Sequence, residues 1–377
     1  MIPFNRFPYT GKELEYIQEV LKTNQISGDG LFTKKCHQWF EENVGCKKAL
    51  LTTSCTHALE MSAILADIQA GDEVILPSFT FTSTANAYVL RGATLVFVDI
   101  RPDTMNMDES IVEQAVTEKT KAIIPVHYAS VGCEMDRIMD IARDKNITVI
   151  EDSAQGMMGS LDGKTLGSIG DMGCYSFHES KNYSCGEGGV LLINNERFIK
   201  RAEIIREKGT NRSQFFRGEI DKYSWIDMGS SYLPSELNAA YLFAQLEKAE
   251  KVKEDRLRSW QRYYDGLKGL ADNGLLELPY IPPNCQHNAH MFYVKVKDKA
   301  ERTRLIQQLK ANEISAVFHY IPLHSSVAGQ RFGRFFGEDK YSSRESERIL
   351  RLPMYFGLSE KDIDKVIRHV AEFYAYI

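Results

Sequence analysis

Short apolar runs alternate with amphipathic stretches from about residue 49 to about residue 194. The runs are rich in valine, isoleucine and phenylalanine, and the segment Glu134–Lys145 between two of them carries apolar residues at helical spacing. This repeated order of strand and helix predicts an α/β fold, with a mostly parallel sheet covered on both faces. The predicted strands are Glu73–Leu76, Leu95–Ile100, Lys121–Val126, Ile147–Ile150 and Cys174–His178. In such sheets, ligands bind at the carboxyl ends of the strands.

The second half of the chain follows a different pattern. A region with few helix breakers and many charges runs from about Pro234 to about Leu270, which predicts a long helical segment. Strand and helix patterns then return on a smaller scale, at Met291–Val296 (strand), Ala300–Ala311 (helix), Ser315–Tyr320 (strand) and Ser359–Tyr374 (helix). We therefore predict a large domain with an N-terminal arm, residues 1–245, and a smaller C-terminal α+β domain, residues 246–377.

Composition and charge narrow the class of protein. The 377 residues are 43% hydrophobic and 26% charged, which is typical of a globular protein with more than one small core. The net charge of -5 gives no indication of nucleic-acid binding, and no apolar run is long enough to span a membrane. The N-terminal residues lack the apolar segment of a signal peptide. The seven cysteines are scattered and never spaced as C-x-x-C, which favours reduced thiols in the cytoplasm over disulfides or a metal site.

Lys181 lies in a polar loop that follows the predicted strand Cys174–His178. Glycines at 186, 188 and 189 flank this loop and permit backbone shapes that other residues resist. A lysine can attack an aldehyde only when burial or neighbouring charges lower its pKa. Lys181 is therefore a candidate nucleophile, and the alternative is an ordinary solvated lysine.

Asp152 comes just after the buried strand Ile147–Ile150. A carboxylate is costly there unless it is paired. The pyridinium nitrogen of pyridoxal 5'-phosphate (PLP) needs such an anion, so that the ring can act as an electron sink. Gln155 follows closely enough to reach the ring hydroxyl. The alternative is that Asp152 or Ser153 caps a helix.

Two further segments supply candidate contacts with the same cofactor. Ser54, Cys55 and Thr56 connect an apolar strand end to the start of a helix, and hydroxyls and free amides in that position favour a phosphate group. The alternative is ordinary helix capping by Ser54 or Thr56. Phe81 lies at a strand-to-helix junction, where its ring can stack on a pyridine; the alternative is a core phenylalanine.

The order of these segments, together with the E-D-x-A-Q and S-F-H-x-x-K-N motifs, resembles the PLP-dependent enzymes of fold type I, and within them the DegT/DnrJ/EryC1/StrS family of nucleotide-sugar aminotransferases. The resemblance covers nearly the whole chain. It implies that Lys181 holds PLP as a Schiff base and transfers protons, and that the active site is completed at the interface of a homodimer. The cofactor contacts that the resemblance assigns are made by Ser54, Cys55, Thr56, Phe81, Asp152, Gln155, Ser176 and Lys181.

The chain departs from the family pattern at two positions. Cys55 stands where the family usually has glycine, so a side chain lies in the phosphate loop. Ser231, in the segment Gly229–Tyr232, stands where the family often has an asparagine that reaches the phosphate from the neighbouring subunit. A serine is shorter, and its contact with the phosphate of the other subunit stays open.

Substrate contacts are suggested by two regions. Arg206, Lys208, Arg212 and Arg217 form a basic cluster in an acidic chain, and arginine is suited to bind a nucleotide diphosphate or the carboxylates of glutamate. The alternative is a solvated helix end.

The segment AVFHYIPLH places His319, Tyr320 and His324 where they can line a sugar pocket. A metal site is the other use for paired histidines, but no cysteine or carboxylate nearby completes a ligand set. His290 either joins this pocket or is a buried structural histidine.

Three stretches, Ile204–Gly218, Trp225–Leu233 and Ala316–His324, resemble the branch of the family that makes dTDP-4-amino-4,6-dideoxygalactose for enterobacterial common antigen. The implied substrates are glutamate and a dTDP-4-keto-6-deoxy-sugar that is aminated at C4. Amination at C3, the gluco epimer, or a non-catalytic protein that kept the fold are the alternatives.

Overall fold

The computed structural model describes residues 1–375. The helices α1 to α14 span Glu13–Lys22, Leu31–Val44, Cys55–Leu65, Thr82–Val89, Glu109–Ala115, Met135–Lys145, Ile199–Arg206, Arg212–Phe216, Glu236–Leu246, Ala249–Asp272, Lys299–Ala311, Val327–Phe332, Ser342–Arg348 and Glu360–Ala375. The strands β1 to β13 span Lys48–Thr52, Glu73–Pro77, Thr94–Val98, Thr120–Ile123, Thr148–Asp152, Ser160–Leu161, Lys164–Thr165, Met172–Ser176, Gly189–Ile193, Cys285–Gln286, Phe292–Lys295, Gly333–Phe335 and Ile349–Leu352.

The main sheet has eight strands in the order β1-β9-β8-β5-β4-β2-β3-β12. The pairs from β8 across to β12 are parallel, and β9 is antiparallel to both of its neighbours, β1 and β8. Seven of the strands therefore run in one direction, with β9 reversed between two of them. This confirms the prediction of a mixed, mostly parallel sheet in an α/β fold.

This topology gathers the candidate residues at one edge of the sheet. Strands β1, β5 and β8 end at Thr52, Asp152 and Ser176, and all three point the same way. The reversed strand β9 begins at the same edge, opposite Thr52 and Ser176. The loops that follow these strand ends carry the predicted phosphate loop and Lys181.

Both faces of the sheet are buried. Successive residues of a strand point to opposite faces, and each face packs against an apolar cluster. In β9, Leu191 and Ile193 join one apolar cluster, with helices α3, α4 and α7. Val190 and Leu192 join a second cluster, with α2 and α9, on the other side. The near-continuous apolar sequence of these strands follows from this burial on two faces.

The C-terminal segment has a core of its own. Strands β11 and β13 pair antiparallel and pack with helices α10, α11 and α14 around residues such as Phe292 and Leu350. Ile2 of the N-terminal arm also packs in this core. Strand β12, although late in the chain, pairs with β3 of the main sheet. The division into two domains at residues 245 and 246 stays a prediction.

Two sequence expectations differ from the structure. The segment Ser315–Tyr320 does not form a regular strand: Val317 alone makes a β-bridge, with Arg351, because the chain then turns at Pro322 towards the edge of the main sheet. The predicted helical region from Pro234 to Leu270 is two helices, α9 and α10, separated at Glu247 and Lys248.

All seven cysteines are buried as unpaired thiols. Within residues 1–375, no helix is both long and apolar enough to cross a bilayer.

Candidate active site

A cavity of about 310 Å³ opens at the carboxyl edge of the main sheet. Its volume is in the range of small-molecule sites, about 300–1,000 Å³. The loops after β1, β2, β5 and β8 form its base, and the segment before α12 covers one side. The sequence-predicted residues that line it are Ser54, Cys55, Thr56, Phe81, Asp152, Gln155, Ser176, Lys181, His319 and Tyr320, together with His290, which the sequence left open.

Lys181 faces this cavity from the loop after β8. Its backbone amide donates to the carbonyl of His178 at 2.9 Å, which holds the loop in a turn. Burial lowers the pKa of the Lys181 amine, and the positive charge of Arg351 lowers it further, while Cys55 and Asp152 act in the opposite direction. Lys181 is therefore an enclosed amine rather than a solvated surface lysine, as a nucleophile requires.

Asp152 is the last residue of β5 and is only 5% exposed. One carboxylate oxygen accepts a 2.6 Å hydrogen bond from the hydroxyl of Thr84, and the other accepts from the amide of Ala154 at 3.2 Å. The segment after Asp152 is a series of turns rather than a helix, so the helix-cap alternative does not hold. The carboxylate is thus fixed and directed at a cavity that also contains a lysine.

Gln155 joins the floor of the cavity to its covering segment. Its side-chain carbonyl accepts from the amide of Ala129 at 2.7 Å, and its amide nitrogen donates to the hydroxyl of Tyr320 at 3.3 Å. The side chain lines the cavity with little freedom to move. Its predicted contact with the ring hydroxyl of a cofactor remains a prediction.

The predicted phosphate loop both caps a helix and lines the cavity. The hydroxyl of Ser54 accepts from the amide of His57 at 3.1 Å, as the cap of α3, and Thr56 donates to Ser83 at 2.8 Å. Strand β9 presses closely on this loop, since a Cβ atom at Gly189 would lie 2.4 Å from the backbone nitrogen of Cys55. The start of α3 therefore offers backbone amides to an anion, as helix N-termini do.

Phe81 is 57% exposed and stands at the N-terminal cap of α4, on the rim of the cavity. It is not a core residue, which removes the alternative that its position in the sequence allowed. Its ring centroid lies 6.1 Å from that of Tyr320. Two aromatic rings thus border the space between the phosphate loop and Asp152.

His319 and Tyr320 form the far wall. Their rings stack with centroids 4.0 Å apart, and Nδ1 of His319 lies 3.2 Å from the hydroxyl of Tyr128. Nε2 of His319 contacts a guanidinium nitrogen of Arg351. Burial and the charge of Arg351 hold the pKa of His319 far below its usual range, so the imidazole is neutral. Burial raises the pKa of Tyr320 to about 12, so its hydroxyl keeps its proton.

Thr84, Arg351 and Phe4 are among the residues of this site that sequence reasoning missed. Thr84 lies one turn after Phe81, so its direction towards the cavity follows from helical spacing once α4 is known. Arg351 lies in β13 and Phe4 in the N-terminal arm, each far from Lys181 in the chain. No local pattern marks either of them, and only the tertiary fold brings them to the cavity.

Four predicted residues lie elsewhere in the chain described. Arg206, Arg212 and Ser231 line a second cavity of about 840 Å³. In this second cavity, Arg206 pairs with Asp29 at 2.7 Å and also donates to the carbonyl of Leu51, so much of its charge is already engaged.

His324 does not line the first cavity, because its ring nitrogens face Ser78 at 2.6 Å and Asp339 at 3.2 Å. The four substrate and phosphate contacts assigned to these residues remain predictions. In the range 1–375, no group of three or more histidine, cysteine or carboxylate side chains is arranged to hold a metal ion.

The residues of the first cavity fit PLP. Lys181 supplies an enclosed amine for the aldehyde, and Asp152 supplies an anchored carboxylate for a ring cation. The start of α3 supplies amides and hydroxyls for a phosphate, and Gly189 packs against the backbone of this loop, where a Cβ atom would not fit. These residues match the aldehyde, the ring nitrogen and the phosphate of the cofactor.

Comparison with known proteins gives the same result. The chain matches the DegT/DnrJ/EryC1/StrS aminotransferase family over residues 9–371. It is 34% identical over 369 residues to an uncharacterized protein of Methanocaldococcus jannaschii, which covers 95% of this chain and 94% of that protein. It is 32% identical over 364 residues to the GDP-perosamine synthase of Caulobacter vibrioides, which covers 95% of this chain and 94% of that one.

The fold is shared with solved structures of the same class. The PLP form of Spr1654 from Streptococcus pneumoniae, named as a sugar aminotransferase, superposes with a TM-score of 0.91 at 26% identity, over 100% of this chain and 99% of that chain. The cofactor prediction and the fold-type-I prediction are confirmed. The chain belongs to the DegT/DnrJ/EryC1/StrS aminotransferase family, and it is a PLP-dependent sugar aminotransferase.

Proposed function

We propose that the protein transfers the amino group of glutamate to C4 of dTDP-4-keto-6-deoxy-D-glucose. The products are dTDP-4-amino-4,6-dideoxy-D-galactose and 2-oxoglutarate. The observation that carries the chemistry is the presence of Lys181 and Asp152 in one cavity, the first as an enclosed amine and the second as a fixed carboxylate.

Each side chain of the cavity has a separate role in the proposed reaction. PLP, when bound, supplies a cationic ring that withdraws electrons from the substrate carbon. Lys181 takes the proton from the reacting carbon of the donor and returns a proton to C4 of the sugar, which its lowered pKa favours at neutral pH. Asp152 would hold the ring in its cationic form. Phe81 and Tyr320 line the cavity that would receive the ring, and they would restrict the access of water.

The choice of sugar is supported by the part of the cavity that His319 and Tyr320 form. His319 and Tyr320 present a neutral imidazole and a protonated hydroxyl, which suit the hydroxyl groups and apolar face of a deoxy-sugar. The assignment to dTDP and to C4 comes from the resemblance of Ile204–Gly218, Trp225–Leu233 and Ala316–His324 to the branch that makes this product. The face on which C4 is protonated decides between the galacto and the gluco epimer.

The reaction is tested by incubating the purified protein, loaded with PLP, with glutamate and the dTDP-4-keto-6-deoxy-sugar, and determining the product by NMR. We expect a new amine at C4 in the axial, galacto configuration, together with one equivalent of 2-oxoglutarate. Amination at C3, the gluco epimer, or the absence of any amination contradicts the proposal.

A GDP-linked keto-sugar is the second candidate substrate. The observation that favours it is the 32% identity to a protein named GDP-perosamine synthase over 95% of the chain. The same assay with GDP- and dTDP-linked 4-keto-6-deoxy-sugars as competing substrates separates the two. The nucleotide that gives the larger kcat/KM is the physiological one.

We also infer that the active form is a homodimer. Trp225, Ile226 and Met228 expose 79%, 51% and 45% of their surfaces in the segment between α8 and α9. Exposed apolar residues that cluster in this way are typical of an interface. The resemblance to the family implies that Ser231 of one chain would then face the cofactor phosphate bound to the other. A cytoplasmic location is proposed from the seven unpaired thiols.

A further inference from the structure

His290 lies just before β11 and is only 5% exposed. Its side chain lines the first cavity together with Lys181. The same two residues line a narrow recess of about 10 Å³, which Asn182 and Asn288 also border. A space of this size holds at most one water molecule, so the imidazole and the amine are close neighbours.

The residue after Lys181 fixes the tautomer of this imidazole. The side-chain nitrogen of Asn182 donates to the backbone carbonyl of Asn288 at 3.0 Å. The side-chain oxygen of Asn182 therefore faces Nδ1 of His290, at 3.0 Å, and an amide oxygen only accepts, so Nδ1 carries the proton. Burial and the charges of Lys181 and Arg351 hold the pKa of His290 far below its usual range. The ring is thus neutral, and Nε2 has a free lone pair.

The backbone that carries His290 is held in a strained conformation. Ala289 has a φ of 51°, in the left-handed region that residues with a Cβ atom rarely adopt. Arg256, a buried residue of α10, donates to the carbonyls of Ala289 and His290 at 3.0 and 2.7 Å. The side-chain amide of Asn288 ties the same segment to the carbonyl of Gln155 at 2.8 Å. Backbone strain of this kind is concentrated at functional sites.

His127 shows the arrangement of a buried histidine whose contacts are all supplied by the protein. Its Nε2 lies 2.8 Å from a carboxylate oxygen of Glu151, and its Nδ1 accepts from the amide of Cys133 at 3.1 Å. Within residues 1–375, His290 makes a side-chain hydrogen bond through Nδ1 and none through Nε2. The difference favours a functional role for Nε2 over the purely structural role that the sequence left open.

We propose that His290 is a positioning residue for Lys181, and that its Nε2 accepts a hydrogen bond from the Lys181 amine. The inference rests on the proposed role of Lys181 in proton transfer. An amine has a single lone pair, and it attacks a carbon or takes up a proton only along that direction. A hydrogen bond from one N–H to Nε2 directs the lone pair into the first cavity. The neutral imidazole does so without placing a second positive charge beside the amine.

Two substitutions separate the roles of the two ring nitrogens. His290→Asn keeps a donor where Nδ1 lies, so the contact with Asn182 is retained and the acceptor at Nε2 is lost. His290→Gln places an amide where Nε2 lies, which keeps an acceptor for Lys181 and loses the contact with Asn182. His369→Gln is the matched control, because His369 lies in α14, outside the first cavity, and pairs with Glu372.

Three readouts apply to each protein. The reaction of the apoprotein with saturating PLP, followed by stopped-flow absorbance, reports the attack of the Lys181 amine. The half-reaction of the loaded protein with glutamate gives a rate constant and a half-saturating concentration. Thermal unfolding of the apoprotein reports its stability.

In His290→Asn, both rate constants are expected to fall by about 10-fold, the effect of one hydrogen bond. The half-saturating glutamate concentration and the melting temperature keep their wild-type values, because neither the donor site nor the contact with Asn182 is removed. His290→Gln recovers both rate constants to within about threefold of wild type. His369→Gln behaves as wild type.

Wild-type rate constants in His290→Asn overturn this inference. The reverse order, with His290→Asn active and His290→Gln slow, also does so, because the contact with Asn182 would then be the one that matters. A parallel loss of rate and melting temperature in both variants indicates a structural histidine and has the same consequence. If the wild type reacts with PLP but not with glutamate, the proposed function fails, and the apoprotein reaction alone decides the role of His290.

Discussion

The hydroxyl of Thr84 donates a 2.6 Å hydrogen bond to Oδ2 of Asp152, and neither side chain is more than 5% exposed. Thr84 is itself 2.9 Å from the hydroxyl of Thr80, so a short chain of hydroxyls ends on the carboxylate. The first turn of α4 thus orients the last residue of β5. A carboxylate that pairs with a cofactor ring must be fixed in direction, and this contact fixes it.

Replacement of Thr84 by valine keeps the shape and removes the donor. We expect the affinity for PLP to fall by about 10-fold or more, because hydrogen bonds to charged groups contribute about 1.5–3 kcal/mol. The dissociation constant is measured by absorbance titration of the apoprotein. Thr84→Ser retains the hydroxyl and should stay within about threefold of wild type. If Thr84→Val binds PLP as tightly as wild type, Thr84 does not orient Asp152.

Lys181 is expected to form the covalent link to PLP. Borohydride should fix the cofactor to the wild-type protein and not to Lys181→Ala, as shown by mass spectrometry. Lys119→Ala, which removes an exposed lysine, should be labelled as wild type. A wild-type protein without a reducible adduct would refute the central assignment.

The rate of PLP uptake by the apoprotein should also depend on pH through Lys181. Only the neutral amine attacks the aldehyde, so the rate rises with pH as the amine loses its proton. Burial lowers the pKa of Lys181 from the ordinary value of 10.5, so the plateau should be reached at a lower pH than for a free lysine. Stopped-flow absorbance measures this profile. A midpoint at or above 10.5 contradicts the assignment.

The sequence was informative about site residues that lie in short segments directly after a strand. Asp152, Lys181 and the loop Ser54–Thr56 each follow a strand, and parallel strands bring their ends to one edge, so their meeting in the cavity followed from the order of segments. The apolar runs also predicted the strands of the main sheet, because a strand that is buried on both faces has a nearly continuous hydrophobic sequence.

The sequence did not predict side-chain contacts between residues that lie far apart in the chain. In the sequence, Arg351 is one polar residue within an apolar strand. The direction of its side chain is set by the pairing of β13 with β11. The error at Ser315–Tyr320 has a similar origin: Val317 alone pairs, with Arg351, while His319 and Tyr320 line the first cavity instead of extending a strand. Arg206 looked like a free phosphate ligand because Asp29, its partner, lies far away in the sequence.

Gly189 should tolerate no side chain. A Cβ atom there would lie 2.4 Å from the backbone nitrogen of Cys55 and from the backbone carbon of Ser54, so Gly189→Ala must displace the start of α3. We expect PLP affinity to fall by at least about 10-fold, since the phosphate amides move. Gly269→Ala is the control: Gly269 is exposed within α10, with open space around it, and alanine there should stabilise the fold by about 0.5–1 kcal/mol. Unchanged PLP affinity in Gly189→Ala would show that α3 does not hold the phosphate.

The dimer proposal makes Trp225 a critical contact. A carboxylate at this position would lose its hydration in an apolar interface, so Trp225→Asp should sediment as a monomer and lose at least about 10-fold in kcat/KM. Val327→Asp is the matched control, because Val327 is 88% exposed but lies on α12, away from the segment between α8 and α9. It should remain a dimer with wild-type activity. Analytical ultracentrifugation and the amination assay, run on the same samples, decide the matter. A Trp225→Asp monomer with full activity would mean that each chain completes its own site, and the place of Ser231 and Arg212 in a second, separate cavity would then need another explanation.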